Sequence, residues 1–72
     1  MEFIKLTDYD YNLPIIVRVE DIKLIEAIKT PRYRGSDEYE CYTSIRLFDG
    51  VDFRTVNVKQ STDYIWKLLK SK

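Results

Sequence analysis

Residues 42–58 read YTSIRLFDGVDFRTVNV. Tyr42 to Phe48 alternates, Asp49-Gly50 follows, and Val51 to Val58 is rich in β-branched and aromatic residues. Asp-Gly between two such runs is a strong hairpin signal, because a type I′ turn needs positive φ at both central residues. The stretch therefore predicts two antiparallel strands, over 41–48 and 51–58. A strict two-residue turn pairs Phe48 with Val51 and Arg46 with Phe53. It sets Val56 and Val58 on the face of Thr43 and Ile45. A register shifted by one buries Val51 and Phe53 beside Leu47 and exposes Val56 and Val58. Either a β-bulge near Arg54-Thr55 flips the phase, or both faces of the sheet are partly covered. One helix covers one face, so the second case asks for a partner surface made from Phe48, Phe53, Tyr42 or Phe3.

Working toward the N-terminus, Ile4 and Leu6 alternate with Lys5 and Thr7, which predicts a strand over about 3–9. DYDYNLP, residues 8–14, reads as a polar turn closed by Pro14. Ile15, Val17 and Val19 share one face of a second strand, over 15–20, and Glu20-Asp21 marks a break. Residues 23–30 read as a third strand on their isoleucine content; Ile22, Ile25 and Ile28 would also suit one face of a short helix. Beyond Val58, Ser61 or Thr62 caps a helix over about 62–71. Asp63 favours its positive end, Ile65, Leu68 and Leu69 form its inner stripe, and Lys67, Lys70 and Lys72 lie at its C-terminal end. The fold expected is a single α+β domain spanning 1–72: an antiparallel meander of four to five strands with the helix packed on one face.

The chain has 72 residues, with 12 basic side chains balancing 12 acidic ones. Zero net charge gives no long-range attraction to nucleic acid or an anionic membrane. A domain this short buries only about 60% of its unfolded surface, and oligomerisation is a common remedy. No window approaches 18 apolar residues, so no membrane span is expected. The start carries acids where a signal peptide carries basic residues, and the one cysteine has no internal disulfide partner. A cytoplasmic protein is expected.

The chain contains no histidine, which removes His-based general base catalysis, Ser-His-Asp and Cys-His pairs and the usual zinc sites. Cys41 is expected to be a small buried apolar residue at a strand start. Asp8, Asp10 and Asn12 match the first spacings of a calcium loop, but Leu13 and Val19 stand where Gly and Glu are needed. Gly35 and Gly50 read as turn residues. The expectation is a protein that is not an enzyme and takes no cofactor and no metal.

TPRYRGSDEYECYT, residues 30–43, is the one stretch with binding chemistry. Arg32-Tyr33-Arg34 could grip phosphate and stack a base, or contact a protein, since Tyr and Arg are enriched at interface hot spots. Asp37, Glu38 and Glu40 offset its charge, and the plain alternative is a solvated loop whose arginines pair with its own acids. Lys59 would join the nucleic-acid reading. Trp66, on the flank of the helix stripe, is either a core-edge residue or an interface anchor.

IKLT at 4–7, VEDIKLIE at 19–26, TSIRLFDG at 43–50 and VNVKQS at 56–61, followed by an amphipathic helix, resemble the small flagellar swarming-motility proteins of the FlbD type. The matching residues are Ile4 to Thr7, Ile22, Ile25-Glu26, Ile45, Leu47, Asp49-Gly50, Val56, Val58-Lys59 and Ser61. Gln60 stands where that family tends to carry Glu, the Thr30–Thr43 connection is longer, and the first turn lacks the usual Gly. The resemblance implies a short β-rich cytoplasmic protein without catalysis or cofactor that acts through other proteins. A phage accessory protein that shares only the fold and docks on a host factor would also fit. The function expected is a protein-interaction module, self-associating or docking on a host or motor protein, with Arg32, Tyr33, Arg34, Tyr42, Phe48, Phe53 and Trp66 as candidate contacts. The alternative is nucleic-acid binding through Arg32-Tyr33-Arg34. Neither membrane insertion nor a small-molecule substrate is expected.

Overall fold

The computed structural model describes residues 2–71. The chain is α+β, with five strands in two antiparallel sheets and one C-terminal helix. Strands β1 (Phe3–Thr7) and β2 (Pro14–Arg18) form a two-stranded sheet, with Ile4 opposite Val17 and Leu6 opposite Ile15. Strands β3 (Ile22–Pro31), β4 (Tyr39–Phe48) and β5 (Phe53–Val58) form a three-stranded sheet in the order β3-β4-β5. Helix α1 spans Thr62–Lys70.

The expected single meander is thus corrected to two sheets, because β2 and β3 do not pair. A 3-10 turn at Val19–Asp21 separates them, and the Arg18 guanidinium clamps the turn by binding the Asp21 carboxylate at 2.6 Å. Burial supplies the reason. Ile4, Leu6 and Val17 from the hairpin meet Ile45, Val58 and Ile65 in one buried cluster. In a flat five-stranded meander α1 alone would have to cover all of that apolar surface. Folding β1-β2 onto the inner face of the larger sheet removes more of it from water, at about 25 cal/mol per Å². One antiparallel bridge, Asp8 opposite Val58, fastens the end of β1 to the end of β5. Its two hydrogen bonds run from Tyr9 N–H to Asn57 O at 2.8 Å and from Lys59 N–H to Thr7 O at 2.9 Å.

The residues 23–30 segment is strand and not helix. Its apolar side chains serve two faces, Ile25 inward opposite Ile45 and Ile28 outward opposite Tyr42. The Thr30–Thr43 stretch is half strand, with loop from Arg32 to Glu38. Of the two alternatives left open by the hairpin register, the bulge near Arg54-Thr55 is absent, and pairing runs unbroken from Thr43–Val58 to Phe48–Phe53; the irregularity lies in β3, between Ile22 and Leu24. The turn at Asp49-Gly50 is longer than two residues, since Phe48 pairs with Phe53. Among the described residues only Asn12, Gly35 and Gly50 have positive φ. Asp49 therefore cannot take the first centre of a type I′ turn. It instead accepts Val51 N–H and Asp52 N–H on Oδ1, both at 2.9 Å, which closes a four-residue loop. Lengthening the loop by two residues keeps the parity of the sheet, so Val56 and Val58 stay inward and Phe53 stays outward.

The DYDYNLP turn is closed by Asp8, whose carboxylate accepts Tyr11 N–H at 2.7 Å and whose carbonyl accepts Asn12 N–H at 3.0 Å. In α1, Ser61 is the N-cap and accepts Tyr64 N–H at 3.1 Å. Ile65 is fully buried, and Leu68 and Leu69 pack on the cluster. No helix among the described residues is long and apolar enough to cross a membrane.

Candidate protein-contact surface

Side chains alternate along a strand, so the register sorts the larger sheet into two faces. Thr43, Ile45 and Leu47 with Val56 and Val58 face the hairpin and α1. Tyr42, Ser44, Arg46 and Phe48 with Phe53, Thr55 and Asn57 face the other way. The shortage of cover inferred from sequence is corrected in one respect. The β1-β2 hairpin is a second covering element, but it shares the inner face with α1, and among the described residues no strand or helix lies over the outer face.

The outer face carries two aromatic pairs at opposite ends. Phe48 and Phe53 stand 4.5 Å apart between ring centroids, with the Arg46 guanidinium 5.7 Å from the Phe53 ring centre. Phe53 is 64% exposed. Leu24, opposite Arg46 and also exposed, extends this patch. Six residues along β4, about 20 Å away, Tyr42 stacks on Tyr9 at 4.6 Å. The Tyr9 hydroxyl donates to the Glu40 carboxylate. That bond, more than burial or the Coulomb effect of Glu40, raises the Tyr9 pKa. Between the two pairs the surface is polar, with Glu26 opposite Ser44 and Asn57 and Thr55 alongside.

The remaining sequence candidates lie elsewhere. Arg32, Tyr33 and Arg34 sit in the loop joining β3 and β4, beyond the last strand pair Pro31–Tyr39. Ser36 organises this loop, its hydroxyl donating to Glu38 O at 3.1 Å and accepting Glu38 N–H at 2.9 Å. The Arg32 Nε lies 3.7 Å from Glu38 and 3.9 Å from Glu40, so this arginine faces its own acids. Tyr33 and Arg34 are exposed. Trp66 is 59% exposed on α1, with Lys70 Nζ 5.8 Å from its ring centre, and lies on the helix side of the molecule. Phe3 is half-exposed on the outside of the hairpin, beside the exposed Ile16. The structure thus brings Phe48 and Phe53 together at one end of the outer face, links Arg32 to Tyr42 at the other end through Glu40 and Tyr9, and leaves Trp66 on the helix side.

Cys41 is exposed, a correction to the buried position expected for it. It lies opposite Lys29, beyond the reach of β5, whose pairing ends at Thr43. With Ala27, Tyr42, Lys59 and Ser61 it lines a pocket of roughly 150 Å³, below the about 300 Å³ at which small-molecule sites begin. No group of His, Cys, Asp and Glu able to hold a metal is found among the described residues. Tyr9, Leu24 and Arg46 were not legible as surface partners, because their neighbours are set by register between strands distant in sequence. Comparison with family models, curated proteins and solved structures returned no match.

Proposed function

We propose that this chain is a non-catalytic protein-contact module whose contact surface is the outer face of the β3-β4-β5 sheet, centred on Phe48 and Phe53. The observation that carries the reading is the Phe48–Phe53 contact, its rings tilted at 33° and the second ring mostly in water, on a sheet face over which no strand or helix lies among the described residues. Contiguous aromatic surface flanked by an arginine matches the composition of interface hot spots. The settings implied by the sequence resemblance, a flagellar motor protein or the host factor of a phage accessory protein, both supply protein partners. Nucleic-acid binding through Arg32-Tyr33-Arg34 is the weaker reading, since Arg32 lies against Glu38 and Glu40.

The test is a photoreactive phenylalanine analogue placed at Phe53 and, separately, at the exposed Lys5 on the hairpin's far side. Irradiation in the native host should give a discrete protein adduct from position 53 and none from position 5. Equal labelling from both, or none from either, removes the reading.

A further inference from the structure

The 8.7 kDa chain exposes 5530 Å², where a compact monomer of this mass exposes about 4,700 Å². The excess is about 800 Å², close to what one partner buries in a standard interface. The radius of gyration is likewise 13.1 Å against about 11 Å for a compact domain of this length. The shape explains both, since β3 and β4 run ten residues each while β5 has only six. Beyond Thr43, the β3-β4 pairs from Ile28–Tyr42 to Pro31–Tyr39 have no β5 residue beside them, and a two-stranded ribbon is only marginally stable without a third strand.

β3 is the margin of its sheet, and among the described residues no strand lies beside its far edge. Such an edge is a template for another strand. The usable window is short, because the register irregularity at Ile22/Leu24 ends it on one side and Pro31, which has no N–H, ends it on the other. We infer that a second copy of this chain occupies this edge, the two β3 strands pairing antiparallel about a two-fold axis at Ala27 to give one continuous six-stranded sheet. This goes beyond the contact-module reading, since the pairing uses the sheet edge and leaves the outer face with Phe48 and Phe53 free.

Charge and geometry select that register. A two-fold axis perpendicular to the sheet pairs residues that share a face. Centred on Glu26, it would set Glu26 against its own copy and Lys23 against Lys29. Centred on Ile25, it draws the irregular Ile22–Lys23 segment into the ladder. Centred on Ile28, it sets Pro31 opposite Ile25. Centred on Ala27, it pairs Leu24 with Thr30, Ile25 with Lys29 and Glu26 with Ile28, and no like charges stand directly opposite one another. Ala27 is itself exposed and short, so the axis is unobstructed. Helix α1 packs against β3 on the inner face, so the same axis sets the two helices side by side. Tyr64 and Trp66, half or more exposed, then gain a surface to cover. The zero net charge adds no repulsion between copies.

The test uses the full chain with Cys41→Ser, to which Ala27→Cys or Glu26→Cys is added. Facing Cα atoms across an antiparallel pair lie about 4.5–5.5 Å apart, within disulfide reach. Glu26 and its copy, offset by two residues, would stand about 8 Å apart, beyond that reach. Sedimentation should give twice the 8.7 kDa chain mass, and mild oxidation should crosslink Ala27→Cys at least tenfold faster than Glu26→Cys. A monomer at all concentrations up to millimolar overturns the inference, as does a dimer in which Ala27→Cys fails to crosslink or Glu26→Cys matches it. A monomer that still gives the adduct at position 53 leaves the contact-module reading standing, so the two failures are distinguishable.

Discussion

Thr7 and Gln60, 53 residues apart in the chain, hold one another by two hydrogen bonds: Thr7 N–H donates to Oε1 at 2.9 Å, and Nε2 donates to Thr7 Oγ1 at 3.1 Å. The Gln60 carbonyl in turn accepts from the buried Thr43 hydroxyl at 2.6 Å. One residue thus ties the end of β1 to the middle of β4. Gln60→Ala should cost about 1–3 kcal/mol, the net worth of two bonds plus a partly desolvated Thr7 N–H. Gln60→Glu, whose carboxylate can accept from both Thr7 donors, should cost less. Urea unfolding measures both, and amide exchange at Thr7 should quicken in the alanine variant alone.

Ile65 and Trp66 are adjacent in α1 and should respond oppositely. Ile65 is 0% exposed in the central cluster, so Ile65→Ala should cost about 2–5 kcal/mol, a large share of the roughly 4–11 kcal/mol expected for a chain this size. Trp66→Ala should change stability by about 0.5 kcal/mol or less if the protein is monomeric. Thermal unfolding of both variants checks this. A Trp66→Ala midpoint that falls more steeply on dilution than the parent's would point to the helix as part of a self-contact.

Asp49 carries a pH prediction. The backbone bond from Asp52, then that from Val51, lowers its pKa below the ordinary carboxylate value of 3.8. A carboxylate with a depressed folded pKa stabilises the fold above its unfolded pKa, and that contribution is lost as pH falls through the folded pKa. The turn should therefore hold from neutral pH down to about 4 and loosen below that, and Asp49→Ala should remove this part of the acid dependence. Carboxyl titration by NMR, with thermal midpoints of parent and variant across pH 2–6, decides it.

Phe53→Ser should leave the thermal midpoint nearly unchanged, because surface substitutions away from core and caps usually fall within about 0.5 kcal/mol. Ile45→Ser, which puts a hydroxyl into the 0%-exposed centre of the same sheet, should unfold much of the population. If Phe53→Ser were as damaging as Ile45→Ser, the outer face would be part of the fold and not a surface available for contact.

The α+β class and the helix stripe of Ile65, Leu68 and Leu69 were legible because each rests on local chemistry: alternation, an N-cap serine, and 3.6-residue periodicity. The length of the turn after Phe48 was not. Asp49-Gly50 permits a two-residue turn, and only the carboxylate's capture of Val51 and Asp52 N–H makes it four. The exposure of Cys41 was also hidden, since it depends on where β5 stops.

The sequence by itself determined which residues alternate, where the chain turns and which helical face is apolar, because those properties are written within a few neighbours of each residue. Only the tertiary structure decided that the first hairpin leaves the meander to share the inner face with α1, and that Phe48 and Phe53 remain outside. That choice depends on how much apolar area each packing removes from water, a sum over residues as far apart as Ile4 and Ile65, and no local pattern encodes it.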